Sequence, residues 1–300
     1  MKQNKKAFTL IEMIFVVVVS SILSMGTFKA FEALYIRSAK AKSVTNLSIQ
    51  SQIVLDQISA LLYNRIPNSV IGYDGKDTTT CTPIEDIVTS DNSKVLEWLS
   101  LDNSNLIAQN YSGFVDMNAS SKPDLKALDV NKSEVNNRDL IFAGSFDSGS
   151  EDILTCKGAY GWHGNDSDLS FKIKSITDNK ITLDEAPEYI YEKYYLTNGA
   201  YAVARGADID KDASCITDLA QDVDDNTLFL FYEFYPYKNV GDTYCADKSG
   251  TQTGKVAILA KDVASFGAVY ENDIIHLRID INKPIKGSTP VHITKQKAVF

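Results

Sequence analysis

The chain has 300 residues, 44% of them hydrophobic, which is enough for one sizeable domain with its own core. Its formal charge of −9 excludes a general nucleic-acid binder, because an acidic surface repels the phosphate backbone. None of the four cysteines pairs with another at CxxC spacing, which excludes a metal half-site of that kind.

The amino terminus is the most informative stretch. A basic leader with Lys2, Lys5 and Lys6 ends in the small residue Ala7, and Phe8-Thr9-Leu10-Ile11-Glu12 follows. The apolar run from 8 to 28 contains 21 residues. At about 1.5 Å per residue, a helix of that length crosses a hydrocarbon core of roughly 30 Å. Glu12 is the ionisable residue inside it. A carboxylate at the bilayer centre costs about 2.5–3.5 kcal/mol on insertion scales, so such a residue marks function and needs a partner. Charge alone gives nearly a tie on orientation: the leader lysines are answered by Lys29, Arg37, Lys40 and Lys42 after the run.

A basic leader, a small residue, Phe-Thr-Leu-Ile-Glu and a membrane-length apolar run resemble the class III signal of the type IV pilin superfamily. The resemblance implies cleavage between Ala7 and Phe8 by a prepilin peptidase, methylation of the new amino terminus, and an inner-membrane anchor. The amino terminus would then be cytoplasmic and the carboxyl-terminal domain periplasmic. It also implies that Glu12, fifth in the mature chain, pairs with the free amino terminus of a neighbouring pilin or pseudopilin. Most members carry Gly where this chain has Ala7, so slower processing is expected. An uncleaved anchor is the alternative. Loss of the leader takes the charge from −9 to −12.

No Gly or Pro occurs from Thr27 to Ile66, and Pro67 stops the pattern. Val44, Leu47, Val54, Ile58, Leu61 and Leu62 form one stripe at helical spacing. A single helix over about 8–65 is expected, transmembrane in its first half (8–28) and amphipathic in its second (29–66). Residues 67–137 are polar and read as a variable insertion, with a short helix over 94–101. Residues 138–300 read as antiparallel strands over 140–146, 169–176, 180–183, 189–196, 200–205, 227–235, 255–260, 265–270, 274–281 and 291–299. Thr197-Asn198-Gly199 and Glu271-Asn272-Asp273 have the composition of hairpin turns. The expected class is α+β, a long amino-terminal helix packed on an antiparallel sheet. From Leu228 onward the order of strands and turns is also similar to the tail of the larger minor pilins and J-type minor pseudopilins.

Cys81, Cys156, Cys215 and Cys245 all follow the anchor, and in an exported domain they read as two disulfides. Four cysteines allow three connectivities. Cys81–Cys156 and Cys215–Cys245 are favoured because each pair joins segments consecutive along the chain. Asp208, Asp210 and Asp212 alternate as in a calcium loop, but the following Gly and the closing Glu are missing. A solvated acidic loop is the simpler reading, with calcium as the only cofactor candidate. Asn118 and Asn131 carry an acid two residues before N-x-S, the extended sequon of bacterial N-glycosylation. His163, His276 and His292 form no HExxH pair, and no GxSxG elbow is present. Gly250-Thr-Gln-Thr-Gly254-Lys255 is one residue short of a phosphate loop. Gly161-Trp162-His163-Gly164 reads as a loop that packs its Trp on the domain.

These features lead to a non-enzymatic minor pilin or pseudopilin that serves a type II secretion, DNA-uptake or pilus machine without direct nucleic-acid binding. A location near the filament tip suits its size. The rival reading is a membrane-anchored binding protein or adhesin that does not polymerise.

Overall fold

The computed structural model describes residues 9–73, 81–102, 113–127, 139–142, 160, 162, 169–177, 179–211, 213–219, 221–235, 254–285 and 289–300. The first element is one helix, α1 (Leu10–Tyr63), 54 residues long. At about 1.5 Å per residue it extends roughly 80 Å. It ends at Asn64, whose backbone N–H bonds back to Leu61 and Leu62. Pro67 lies just beyond, where the residue before a proline is driven out of the helical region.

The two halves of α1 meet different surroundings. Side chains from Leu10 to Phe31 are exposed on all sides. In the second half Leu47, Val54, Leu55, Ile58 and Leu62 are buried along one stripe, as the 3.6-residue period requires. Each contributes roughly 1.5–3 kcal/mol by leaving water.

The described strands form three sheets, antiparallel at every pairing among them. A six-stranded sheet runs β12 (Lys255–Ala260), β11 (Leu228–Phe234), β10 (Ala200–Arg205), β3 (Val95–Leu99), β1 (Ile71–Tyr73), β2 (Cys81–Pro83). A three-stranded sheet runs β13 (Val263–Glu271), β14 (Ile274–Lys283), β15 (Val291–Val299). A second six-stranded sheet runs β4 (Gly113–Phe114), β9 (Lys193–Thr197), β6 (Asp139–Ile141), β7 (Ser170–Thr177), β8 (Lys180–Leu183), β5 (Asp124–Lys126).

Two cores order these layers. Leu96, Trp98 and Val203 from one face of the first sheet join the α1 stripe and the inner residues of β13–β15, such as Phe266, Leu277 and Ile279. Val95, Leu99, Ala202 and Phe229 join Leu140, Ile181, Tyr194 and Leu196 of the second six-stranded sheet. The first sheet is therefore sandwiched between the helix and the second sheet. That explains its near-continuous apolar strands, which are buried on both faces.

Two expectations are corrected. The helix expected over 94–101 is the strand β3, buried throughout. Its Val-Leu-Glu-Trp-Leu run is too short for a stable helix and sends alternate residues into the two cores. The described parts of 67–137 supply β1 to β5, three of them in the sheet beneath the helix. Thr197-Asn198-Gly199 is no hairpin either, since β9 and β10 lie in different sheets. The turn chemistry is present, but burial decides the pairing. Glu271-Asn272-Asp273 does close a hairpin, with Asn272 and Asp273 at φ 53° and 64° and Glu271 opposite Ile274.

α1 and β15 run side by side in the same direction. Lys40 Nζ donates to Thr289 Oγ1 at 3.1 Å, and farther along Lys297 Nζ bonds Asp56. The Lys297 bond holds the Asp56 carboxyl below its usual range. The end of β15 thus sits beside the end of α1, roughly 50 Å along the helix from Phe28.

Gly199 makes the crossing between sheets. Its φ is +144°, and a Cβ there would lie 3.0 Å from the Phe234 carbonyl oxygen, beside Glu233, itself at φ 59°. Gly199→Ala should cost about 1–3 kcal/mol. Denaturant unfolding of the variant tests this, and an unchanged midpoint would contradict the account of the crossing.

Candidate functional site

The site is the first turn of α1. Thr9 is the N-cap, in extended conformation at φ −74° and ψ 148°. Glu12 is three residues on, and the two bond reciprocally. The Glu12 backbone N–H donates to Thr9 Oγ1 at 3.4 Å, and the Thr9 backbone N–H donates to Glu12 Oε2 at 2.9 Å. The Thr9 hydroxyl donates to the same carboxylate oxygen at 2.9 Å. This is a capping box, and it satisfies donors that a helix start otherwise leaves open.

The local chemistry explains how a carboxylate is tolerated at the edge of an apolar run. Glu12 stands in the first turn, where the helix dipole favours negative charge. Its oxygen Oε2 has two donors from its own chain. The side chains around it, Ile11, Ile14, Phe15, Val16 and Val18, line an open apolar groove. The arrangement can cap its own helix and present a carboxylate to an amine.

The Thr-x-x-Glu spacing that marks a capping box stands in the sequence at Thr9 and Glu12, yet the sequence reading assigned Glu12 only to a neighbouring chain. Thr9 is the residue it missed. Ala7 and Phe8 lie outside the described residues.

A family model described as the prokaryotic N-terminal methylation motif matches residues 2–28. Residues 2–28 thus carry a prepilin-type methylation motif, consistent with a type IV pilin-like protein. The matched segment runs straight into a helix long and apolar enough to cross a membrane, and none of its apolar window is buried within the protein. The motif implies processing by a prepilin peptidase and assembly with other pilins. No curated protein and no solved structure matches the chain.

The remaining candidate residues are scattered through the fold. Asp208 is buried and pairs with Arg205, Nε to Oδ2 at 3.1 Å, so its carboxylate faces a guanidinium and not an oxygen cage. Asp210 is exposed, and Asp212 lies outside the described residues. Among the described residues no three ligating groups gather as a metal site would require. Asn118 is exposed in a turn built by Asp116, whose Oδ1 accepts from the Asn118 and Ala119 backbone N–H groups at 3.1 and 3.2 Å. Those bonds give the Asp-x-Asn spacing a structural role as an Asx turn. Asn131 lies outside the described residues.

Cys81 at the start of β2 and Cys215 both pack with the core between the two six-stranded sheets, and neither is a free thiol. Cys156 and Cys245 lie outside the described residues. Trp162 is buried in the same core, as a Trp packing a loop onto the domain would be. Gly161, His163 and Gly164 fall outside the described residues, as do 250–253 before β12.

Proposed function

We propose that this chain is a non-enzymatic minor pilin or pseudopilin, stored in the inner membrane with its β-rich domain on the periplasmic side. It would be drawn into a filament by its amino-terminal helix. The observation that carries this is the methylation motif continuous with one unbroken 54-residue helix. The role needs no cofactor and no direct contact with nucleic acid.

A second feature supports assembly. Ile49 and Ile53 are one turn apart on the face of α1 turned away from its core stripe, and they are 54% and 51% exposed. They flank a groove of about 380 Å3 closed on its other side by Ile258 and Leu259 of β12. Apolar surface of this kind, beyond the reach of the bilayer, suits burial against a neighbouring subunit. Glu12 would exchange its own cap for a neighbour's amino terminus as the helices come together. The exchange costs little, because one charge-assisted bond replaces another.

In this setting the four cysteines form Cys81–Cys156 and Cys215–Cys245. The state of Cys81 and Cys215, neither a free thiol, supports bridging. Each closure would add roughly 3–4.5 kcal/mol by loop entropy. Peptide mapping without reductant should recover these two cross-linked pairs, and alkylatable Cys156 or Cys245 in exported protein would refute them.

The pairing role of Glu12 is tested by cross-linking to co-expressed pilin-like subunits. Glu12→Ala should leave membrane insertion intact and cut cross-linked product at least several-fold. Thr9→Ala removes only the capping hydroxyl and should leave most of it. Wild-type cross-linking by Glu12→Ala would remove the pairing role.

A further inference from the structure

The far end of α1 holds a polar cavity unrelated to the amino-terminal turn. It has a volume of about 290 Å3, at the lower edge of the range for small-molecule sites. Arg65, Asn68, Tyr63, Tyr270, Glu85 and Phe300 are among its lining residues. It opens beside Tyr63 and Phe300, residues that are 74% and 76% exposed.

Arg65 is the unusual member. Its guanidinium is half-buried, and Nη1 donates to the Leu62 carbonyl at 2.9 Å. That bond uses one of five donors. Among the described residues Arg65 has no ion pair, although burial pushes its pKa down, and a desolvated cation is costly without an anion. The Tyr270 hydroxyl, which donates to Asp273 Oδ1 at 3.2 Å, is neutral and supplies no anion. Arg65 lines the cavity, so its guanidinium is at hand for a ligand there.

We infer that this cavity binds a carboxylate joined to an aromatic or apolar group, with the Arg65 guanidinium as its anchor. A guanidinium matches a carboxylate through two parallel N–H···O bonds. The rings of Tyr63 and Phe300 supply apolar surface for the rest of the ligand. Glu85 in the lining repels anions, and repels a doubly charged phosphate ester more than a singly charged carboxylate. Such a carboxylate can belong to a free small acid or to the chain end of a partner protein.

The test is calorimetric titration of the full-length protein in non-ionic detergent. Two acids are used, benzoate and the dipeptide acetyl-Leu-Phe, each beside its neutral amide. The inference expects at least one acid to bind tenfold or more tightly than its amide, with binding lost in Arg65→Gln. Benzoate binding identifies free acids as the class, and binding of the dipeptide alone identifies a protein chain end. Arg65→Lys keeps the charge without the fork and should retain weakened binding, which separates lost recognition from lost folding. Equal affinity for acid and amide, or acid binding that survives Arg65→Gln, would overturn the inference, as would the absence of binding by either acid.

Discussion

Everything in this molecule depends on one helix that has to satisfy two solvents. The first half of α1 offers apolar side chains on every side and can be stable only in lipid or among other apolar helices. The second half buries one stripe and is fixed by the sheets beneath it. After Gly26 no Gly or Pro interrupts the helix, which runs unbroken from the exposed half into the packed half. The capping box closes the amino-terminal end of this helix with the one carboxylate that the apolar run contains.

The layered domain follows from the same constraint. A helix with a single buried stripe needs a sheet, and the three-stranded sheet with one face of the first six-stranded sheet provides it. The other face of that six-stranded sheet is equally apolar, so a second sheet covers it. β3 is the element that shows this best. It reaches both cores with alternate residues and binds β1 to β10, although it comes from a stretch that looks polar as a whole.

Local patterns were legible in the sequence where one periodicity ruled. The helix, expected over about 8–65, spans Leu10–Tyr63, and the strands at Lys180–Leu183, Ala200–Arg205, Lys255–Ala260 and Val291–Val299 match their expected bounds. Long-range choices were not legible. Which strand pairs with which depends on burial across layers, and that is why Asn198-Gly199 joins two sheets instead of closing a hairpin. β3 was hidden because the surrounding Asn, Asp and Ser outweigh five apolar-rich residues in any window average. The motif around Glu12 was legible as a whole, but the role of Thr9 was not drawn from it. A hydroxyl three residues before a glutamate is a short-range signal, and the membrane-length run beside it is much louder. The cavity at Arg65 had no sequence signature, because its walls come from the end of α1 and residues 65–70, from residues 84–85, from β13 and β14, and from Phe300.

The most direct test of the central claim is the amino-terminal mass of the full-length chain expressed with a prepilin peptidase. The account predicts a mature protein that begins at Phe8 with a methylated amine. A chain that still begins at Met1, while a second prepilin in the same cells is cleaved, would contradict it.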